Sequence, residues 1–392
     1  MQLLHLYQIR RLDKMAHSKF WQLEFAIWLH IFARTIIGIF VPILLLQIGY
    51  TLGQVMLYYF LFTGINVPLN FLAKAIVQKI GARYVMMLST LASLLFFVGL
   101  YLLTPNSWIL FLITIIFAAI YDAFYFVSHI YLFIKSEDSA RSQKDTSLLY
   151  IVKMGAALIG PIIGAIILIL TNRHVLIVAS AFFFALSILP LFHLKNLPDK
   201  PTRKTPSFKK FFKEKIDRQN FLSFAFFTIH RAAEGILWPL FIYTIFSSIQ
   251  SVAYIPIIIS LTVILFSYLM GKSQKYRKEN LIIFGSLLIG LIWLLRLLTV
   301  STPIYYFSIF LVSLLSLLVT IPLDSDIFAR AKKISTLNTA TYRNASSMLI
   351  QFLLFGILAL VTNIFQVGFV ITILTLLVLL LINYVTIKTI KA

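Results

Sequence analysis

The sequence predicts an all-α membrane protein of twelve transmembrane helices, arranged as two pseudo-symmetric six-helix bundles. Three observations carry this. Sixty per cent of the 392 residues are hydrophobic and only 12% are charged, far from the balance of a soluble domain. Twelve apolar stretches are each long enough to cross a bilayer, for which ~20 residues suffice. A polar segment falls between the sixth and the seventh, at residues 195–219, KNLPDKPTRKTPSFKKFFKEKIDRQ. It carries nine Lys/Arg against Asp199, Glu214 and Asp217. Pro198, Pro201 and Pro206 keep its first half from continuing a helix, because proline lacks the amide donor and fixes its own φ.

In chain order, residues 1–19 form a basic segment, read as a retained cytoplasmic N-terminus lying on the membrane surface. The apolar run after it is too long for a signal-peptide core, and no small-residue cleavage site closes it. The expected spans are 20–46, 53–73, 83–103, 107–134, 148–170 and 174–194 in an N-terminal bundle (20–194). After the basic linker (195–219) come 220–246, 251–270, 280–300, 303–323, 347–363 and 365–387 in a C-terminal bundle (220–388). Lysine and arginine test the count, because they collect on the cytoplasmic side of short loops. One side holds the N-terminus, Lys74, Lys79 and Arg83, then Lys135, Arg141 and Lys144, the linker, Lys272 to Lys278, Arg330 to Arg343, and the C-terminal Lys388 and Lys391. The other side holds only Arg173. The alternation places both termini in the cytoplasm and suits a multi-pass protein of the plasma membrane.

The halves echo each other. Phe25-Ala26, His30 and Pro42 in the first span answer Phe224-Ala225, His230 and Pro239 in the seventh, and Pro68 and Pro256 fall in the second and eighth. The net charge of +21 sits in loops between spans, so it points to membrane orientation and not to nucleic acid. There is no cysteine, and therefore no disulfide framework or thiol chemistry. No metal-ligand cluster, nucleotide-binding motif or other cofactor signature is present.

Ionisable groups at membrane depth carry the functional reading. An isolated charge near a helix centre costs about 2.5–3.5 kcal/mol on insertion scales, so such groups must pair or face water. The helical period puts Glu24, His30, Arg34 and Gly38 on one face of the first span. Asp122, Tyr125 and His129 share a face of the fourth. Ser223, His230 and Glu234 stack in the seventh, with Arg231 within i,i+3 reach of Glu234. Tyr121, Tyr125 and Trp238 lie beside these stripes and are the aromatic candidates for substrate contact. Glu24, His129 and Lys153, at similar depth, are read as a cytoplasmic gate, with snorkelling of Lys153 as the alternative. Arg296, near the outer end of the ninth span, is expected to snorkel. The bland reading of Arg231 with Glu234 is a satisfied local pair.

This pattern resembles the major facilitator superfamily over nearly the whole chain: six plus six spans, a long basic central loop, and charges on spans one, four and seven. In that family these spans, with the tenth, line a central cavity; the tenth here offers Ser308, Ser313, Ser316 and Thr320. The family's loop motif Gly-x-x-x-Asp-Arg-x-Gly-x-Arg is matched in KAIVQKIGAR by Lys79, Gly81 and Arg83, whereas Lys74 replaces the first glycine and Gln78 the aspartate. Gly155, Gly160, Pro161 and Gly164 are similar to the family's antiporter-associated glycine-proline motif, with one extra residue before Gly160.

The resemblance implies a secondary active transporter working by alternating access. Its substrate and proton site would comprise Arg34, Asp122, Glu234, Arg231, His30 and His230. The first expectation is proton-coupled efflux, by antiport, of lipophilic cations held by Asp122 and Glu234. The alternative is a small anionic metabolite held by Arg34 and Arg231. A different class, a membrane-embedded lipid-acting transferase using Asp122 and His129, lacks a polar catalytic loop; a transport-dead scaffold or scramblase is a third. The expected partners are a small-molecule substrate, the lipid bilayer and a proton, the expected cofactors none, and the expected assembly a monomer.

Overall fold

Two prolines shape the helices that carry the charged stripes. Pro42 cannot donate to the carbonyl of Gly38, and the first span breaks there into Lys19–Gly38 and Val41–Ile48. Pro239 likewise leaves the carbonyl of Gly235 without its α-helical donor. The seventh span answers with a π-helical turn, Ala233–Leu237, in which Trp238 N–H reaches back to Ala233 O, between helices Lys215–Ala232 and Trp238–Phe246. Glu234 sits inside that widened turn.

The computed structural model describes residues 19–105, 107–136, 142–193, 215–272, 278–299 and 301–391. Side chains are further left undescribed at 19–24, 142–150, 152, 193, 215–217, 267–272, 332–333 and 386–391, and at 136. Residues 1–18 of the expected surface segment, most of the 195–219 linker and the side chain of Glu24 therefore lie outside the described residues.

The regular structure among the described residues is all helical, and the remaining passages are Leu52–Ile80, Ala82–Leu102, Trp108–Ser136, Ser142–Leu170, Arg173–Leu186, Ile249–Lys272, Lys278–Leu298, Thr302–Ile334, Thr336–Leu360 and Ile364–Lys391. By length and composition, eleven helical stretches among the described residues can cross a membrane. The seventh passage, interrupted by its π turn and by Arg231 and Glu234, completes the twelve.

Local sequence explains the ends. Gly49 closes the first span at φ 116°, with its own N–H and that of Tyr50 returning to Leu46 and Leu45. Thr51 and Gln54 then form a capping box that starts the second. Gly81, the glycine of the loop motif, holds φ 90° between the second and third helices, a conformation side-chain-bearing residues rarely adopt.

Two seams join the halves. The second span packs along the eleventh, and the fifth along the eighth. In the first seam each helix offers a glycine to a phenylalanine of the other: Gly64 receives Phe352, Gly356 receives Phe60, and the two rings stack at 4.4 Å. Within the N-terminal half, the fifth span presses on the first through Gly160 and Gly164. A Cβ on Gly160 would collide with Thr35, and one on Gly164 with the carbonyl of Ile36. The glycine-proline motif thus fixes the stretch of helix that begins one residue after Arg34.

The tenth and eleventh helices extend beyond the expected 303–323 and 347–363. Both are continuous almost to each other, separated by Ser335 alone, so Arg330 to Arg343 are not a loop. Asp324, Asn338, Arg343 and Asn344, which contribute to the hydropathy dip that suggested one, are all buried in helix.

Candidate functional site

In the N-terminal half, Arg34 and Asp122 face a cavity of about 130 Å³. Tyr58, Tyr59, Tyr121, Ser93, Phe97 and Phe184 are also on its wall. Asp122 is 5% exposed and accepts a hydrogen bond from Asn66 Nδ2 at 2.9 Å. Arg34 approaches Asp122 only to 3.8 Å, and its side chain is 41% exposed. Its guanidinium lies 5.1 Å from the Phe126 ring centroid. Among the described residues no hydrogen bond engages its donors, so Arg34 offers an open fork to the cavity. His30 is buried behind it, bonded through Nε2 to Tyr121 Oη at 2.9 Å and stacked on Tyr125, which in turn stacks on His129. Tyr121 reaches the cavity wall; His30 and Tyr125 stand behind it.

In the C-terminal half a second cavity, about 220 Å³, is walled by His230, Arg231, Glu234 and Gly235 of the seventh span, Ser313, Ser316 and Thr320 of the tenth, and Ile259 and Val263 of the eighth, with Met154 of the fifth closing it from the other half. Here the expected pairing is corrected. Glu234 is held by Arg296 in a two-pronged contact, at 2.6 and 3.2 Å, not by Arg231. Arg296 does not snorkel: its side chain is fully buried, donates to Ser308 Oγ at 2.8 Å, and lies 3.9 and 4.6 Å from the ring centroids of Trp238 and Trp293. The physical reason is the π turn, which re-phases Glu234 toward the ninth span and leaves Arg231 exposed on the cavity side. Arg231 has no hydrogen-bond or ion-pair partner among the described residues. Trp238 is fully buried as cover for Arg296 and is not on the cavity wall.

The two arginines left open are equivalent positions of a repeat. Arg34-x-x-x-Gly38-Ile39-x-x-Pro42 in the first span matches Arg231-x-x-x-Gly235-Ile236-x-x-Pro239 in the seventh at a constant offset. Aligning the halves on their paired prolines, and not on their histidines, would have found it.

Sequence reasoning also missed a polar ladder. Asn66 bonds Asp122; Asn70 Nδ2 donates to Asn66 Oδ1 at 2.7 Å; Asn344 Nδ2, across the seam, donates to Asn70 Oδ1 at 2.7 Å. Beside it Arg343 donates to Asp324 at 2.6 Å, between the rings of Phe224 and Phe328. The signal was present in Asn66 and Asn70, one helical turn apart in an apolar span. Of the expected gate, His129 is buried with neither ring nitrogen bonded among the described residues. Lys153 is partly buried, and Glu24 lies outside the described side chains.

The loop-motif arginine, Arg83, lies 4.6 Å from the Tyr84 ring centroid and donates to Phe192 O at 3.4 Å, within its own half. The structure groups Arg34 with Asp122 and Arg231 with Glu234 and His230, in two cavities and not one.

A family model described as Major Facilitator Superfamily matches residues 23–350. No curated protein matches the chain in sequence. Among solved structures, the human organic anion transporter MFSD10 (TETRAN) superposes with a TM-score of 0.67 at 14% identity, over 93% of this chain and 98% of that one. A POT family transporter in complex with a thioalcohol-conjugated peptide superposes with a TM-score of 0.68 at 15% identity, over 94% and 95%. At these identities the likeness is one of fold.

Proposed function

The chain belongs to the major facilitator superfamily and is a secondary transporter, and from that premise we propose that its cargo is a small organic anion, bound by Arg34 and Arg231. The observation that carries this reading is the balance of engaged and open charges. Glu234 is neutralised by Arg296, Asp122 accepts from Asn66 and faces Arg34, and the open donors are the two repeat-equivalent guanidinium groups. A cationic substrate would find Glu234 held by Arg296 and Asp122 already bonded to Asn66 with the Arg34 charge 3.8 Å away; an anion finds two planar guanidinium groups whose donors make no hydrogen bond among the described residues and whose geometry suits a carboxylate. The structure thereby favours the anionic alternative over lipophilic cations.

Coupling follows from competition. A carboxylate that takes the Arg34 fork removes the counter-charge from Asp122, and a buried carboxylate deprived of its counter-charge takes up a proton. Anion and proton then occupy the N-terminal site together and cross together, in contrast to antiport. Each half supplies one arginine on the wall of its own cavity, so that two related bundles rocking against each other would present them to the anion in turn. The distribution of lysine and arginine supports placing both termini in the cytoplasm.

The test is flux of radiolabelled monocarboxylates into proteoliposomes. Arg34→Gln and Arg231→Gln are each expected to abolish uptake, and Asp122→Asn to leave anion exchange while removing acceleration by a proton gradient. Wild-type flux of anions in both arginine variants, or flux confined to lipophilic cations, would overturn the proposal.

A further inference from the structure

The C-terminal cavity contains a hydrogen-bond relay whose direction is fixed by its first member. An indole N–H can only donate. Trp293 Nε1 donates to His230 Nδ1 at 2.9 Å, so Nδ1 carries no proton and the imidazole hydrogen resides on Nε2. Nε2 lies 3.0 Å from Ser316 Oγ and therefore donates to it. With that lone pair occupied from behind, the Ser316 hydroxyl hydrogen must point elsewhere, and it has no acceptor among the described residues. Ser316 is half-buried and shares the cavity wall with Arg231. Ser313, one turn earlier, spends its own hydroxyl on the carbonyl of Ile309. The carboxylate of Glu234 also borders the space, but both its oxygens are taken by Arg296.

We propose that Arg231 and Ser316 form a carboxylate subsite, in which Ser316 is a specificity-determining donor and His230 is the positioning residue that keeps it a donor. This rests on the organic-anion reading and adds to it the place and polarity of recognition. A hydroxyl free to rotate presents its hydrogen in any direction; with one of its two lone pairs held by His230, the Ser316 hydrogen is aimed away from the imidazole, and beside the Arg231 charge it serves a carboxylate oxygen best. Trp293 also covers Arg296, so one indole links the buried ion pair of the seventh and ninth spans to the polarity of the tenth-span serine.

The experiment uses the full-length protein in detergent and a panel of aromatic and aliphatic monocarboxylates with their carboxamides, read by ligand-induced thermal stabilisation and by titration calorimetry. Ser316→Ala is expected to weaken carboxylate binding roughly ten-fold or more, the range for a hydrogen bond to a charged group, with a smaller loss for the carboxamides, whose neutral carbonyl accepts a weaker bond. Ser316→Thr keeps the hydroxyl and most of the affinity. His230→Asn leaves an acceptor near Nδ1 for Trp293 but is too short to reach Ser316, whose hydroxyl then turns to its own helix backbone. That variant is expected to lose carboxylate affinity like Ser316→Ala, and the double variant to be no worse than either. A merely structural role for His230 predicts additive losses instead. Carboxylate binding that requires Arg231 yet is unchanged in Ser316→Ala, or additive in the double variant, overturns the subsite and leaves the transport reading standing. A wild-type protein that binds no member of the panel, or binds them equally in Arg231→Gln, overturns both.

Discussion

Glu234→Gln separates the two ion pairs by their burial. The Arg296 side chain has no exposure and Glu234 has 11%. Removing the carboxylate charge leaves a guanidinium with Ser308 and two indole faces as its remaining neighbours. Breaking a buried pair from one side costs about 3–5 kcal/mol, because the surviving charge is uncompensated. That approaches the whole stability of a typical domain, ~5–15 kcal/mol. Asp122→Asn is a different case. Arg34 is 41% exposed and 3.8 Å away, so solvent screens it, and the loss belongs with exposed pairs at ~1 kcal/mol or less. Chemical or thermal unfolding of the purified protein, followed by the fluorescence of its five tryptophans, should show Glu234→Gln far less stable than Asp122→Asn. The double variant Glu234→Leu/Arg296→Met removes both charges and should recover most of the loss. Equal, small effects in the two single variants, or no recovery in the double, would refute the assignment of Arg296 as a caged structural cation.

Two further outcomes follow from packing and from the ladder. Gly164→Val drives a branched side chain into the carbonyl of Ile36; overpacking of this kind costs about 1–3 kcal/mol, and because the displaced helix carries Arg34, carboxylate binding should weaken beyond the loss of thermal stability, whereas Gly155→Ala, where the nearest atom is Trp28 Nε1 at 3.9 Å, should be silent in both assays. Asn344→Leu takes the donor from Asn70 and severs the one described side-chain hydrogen-bond path from Asp122 to the C-terminal half; a lost buried bond costs about 1–3 kcal/mol, and bifunctional crosslinking between cysteines introduced at Phe71 and Tyr342, whose ring centroids lie 6.2 Å apart across the same seam, should report a seam that opens more readily.

Much of this site was legible in the sequence. Arg34, Asp122, Arg231 and Glu234 stood out because charge is expensive in hydrocarbon and each lay well inside an apolar run. Pairing was not legible. Arg231 is three residues from Glu234, and local spacing made it the natural partner; Arg296, 62 residues away on another span, won because the π turn ahead of Pro239 turns the carboxylate toward it. Asp324 and Arg343 were hidden for the opposite reason. Each lowers local hydropathy enough to mimic a helix end, and only their mutual burial shows the helices continuing through them.

The sequence by itself determined the passage count, the division into two bundles and the depth at which charge resides, because each of these follows from one-dimensional spacing against a fixed hydrocarbon thickness. The tertiary structure decided which charges neutralise each other and which remain open to a ligand. That outcome depends on helix rotation, on a proline-induced change of phase and on contacts between spans distant in the chain, and a shift of one residue in phase turns a side chain by about 100°, exchanging a buried partner for an exposed one.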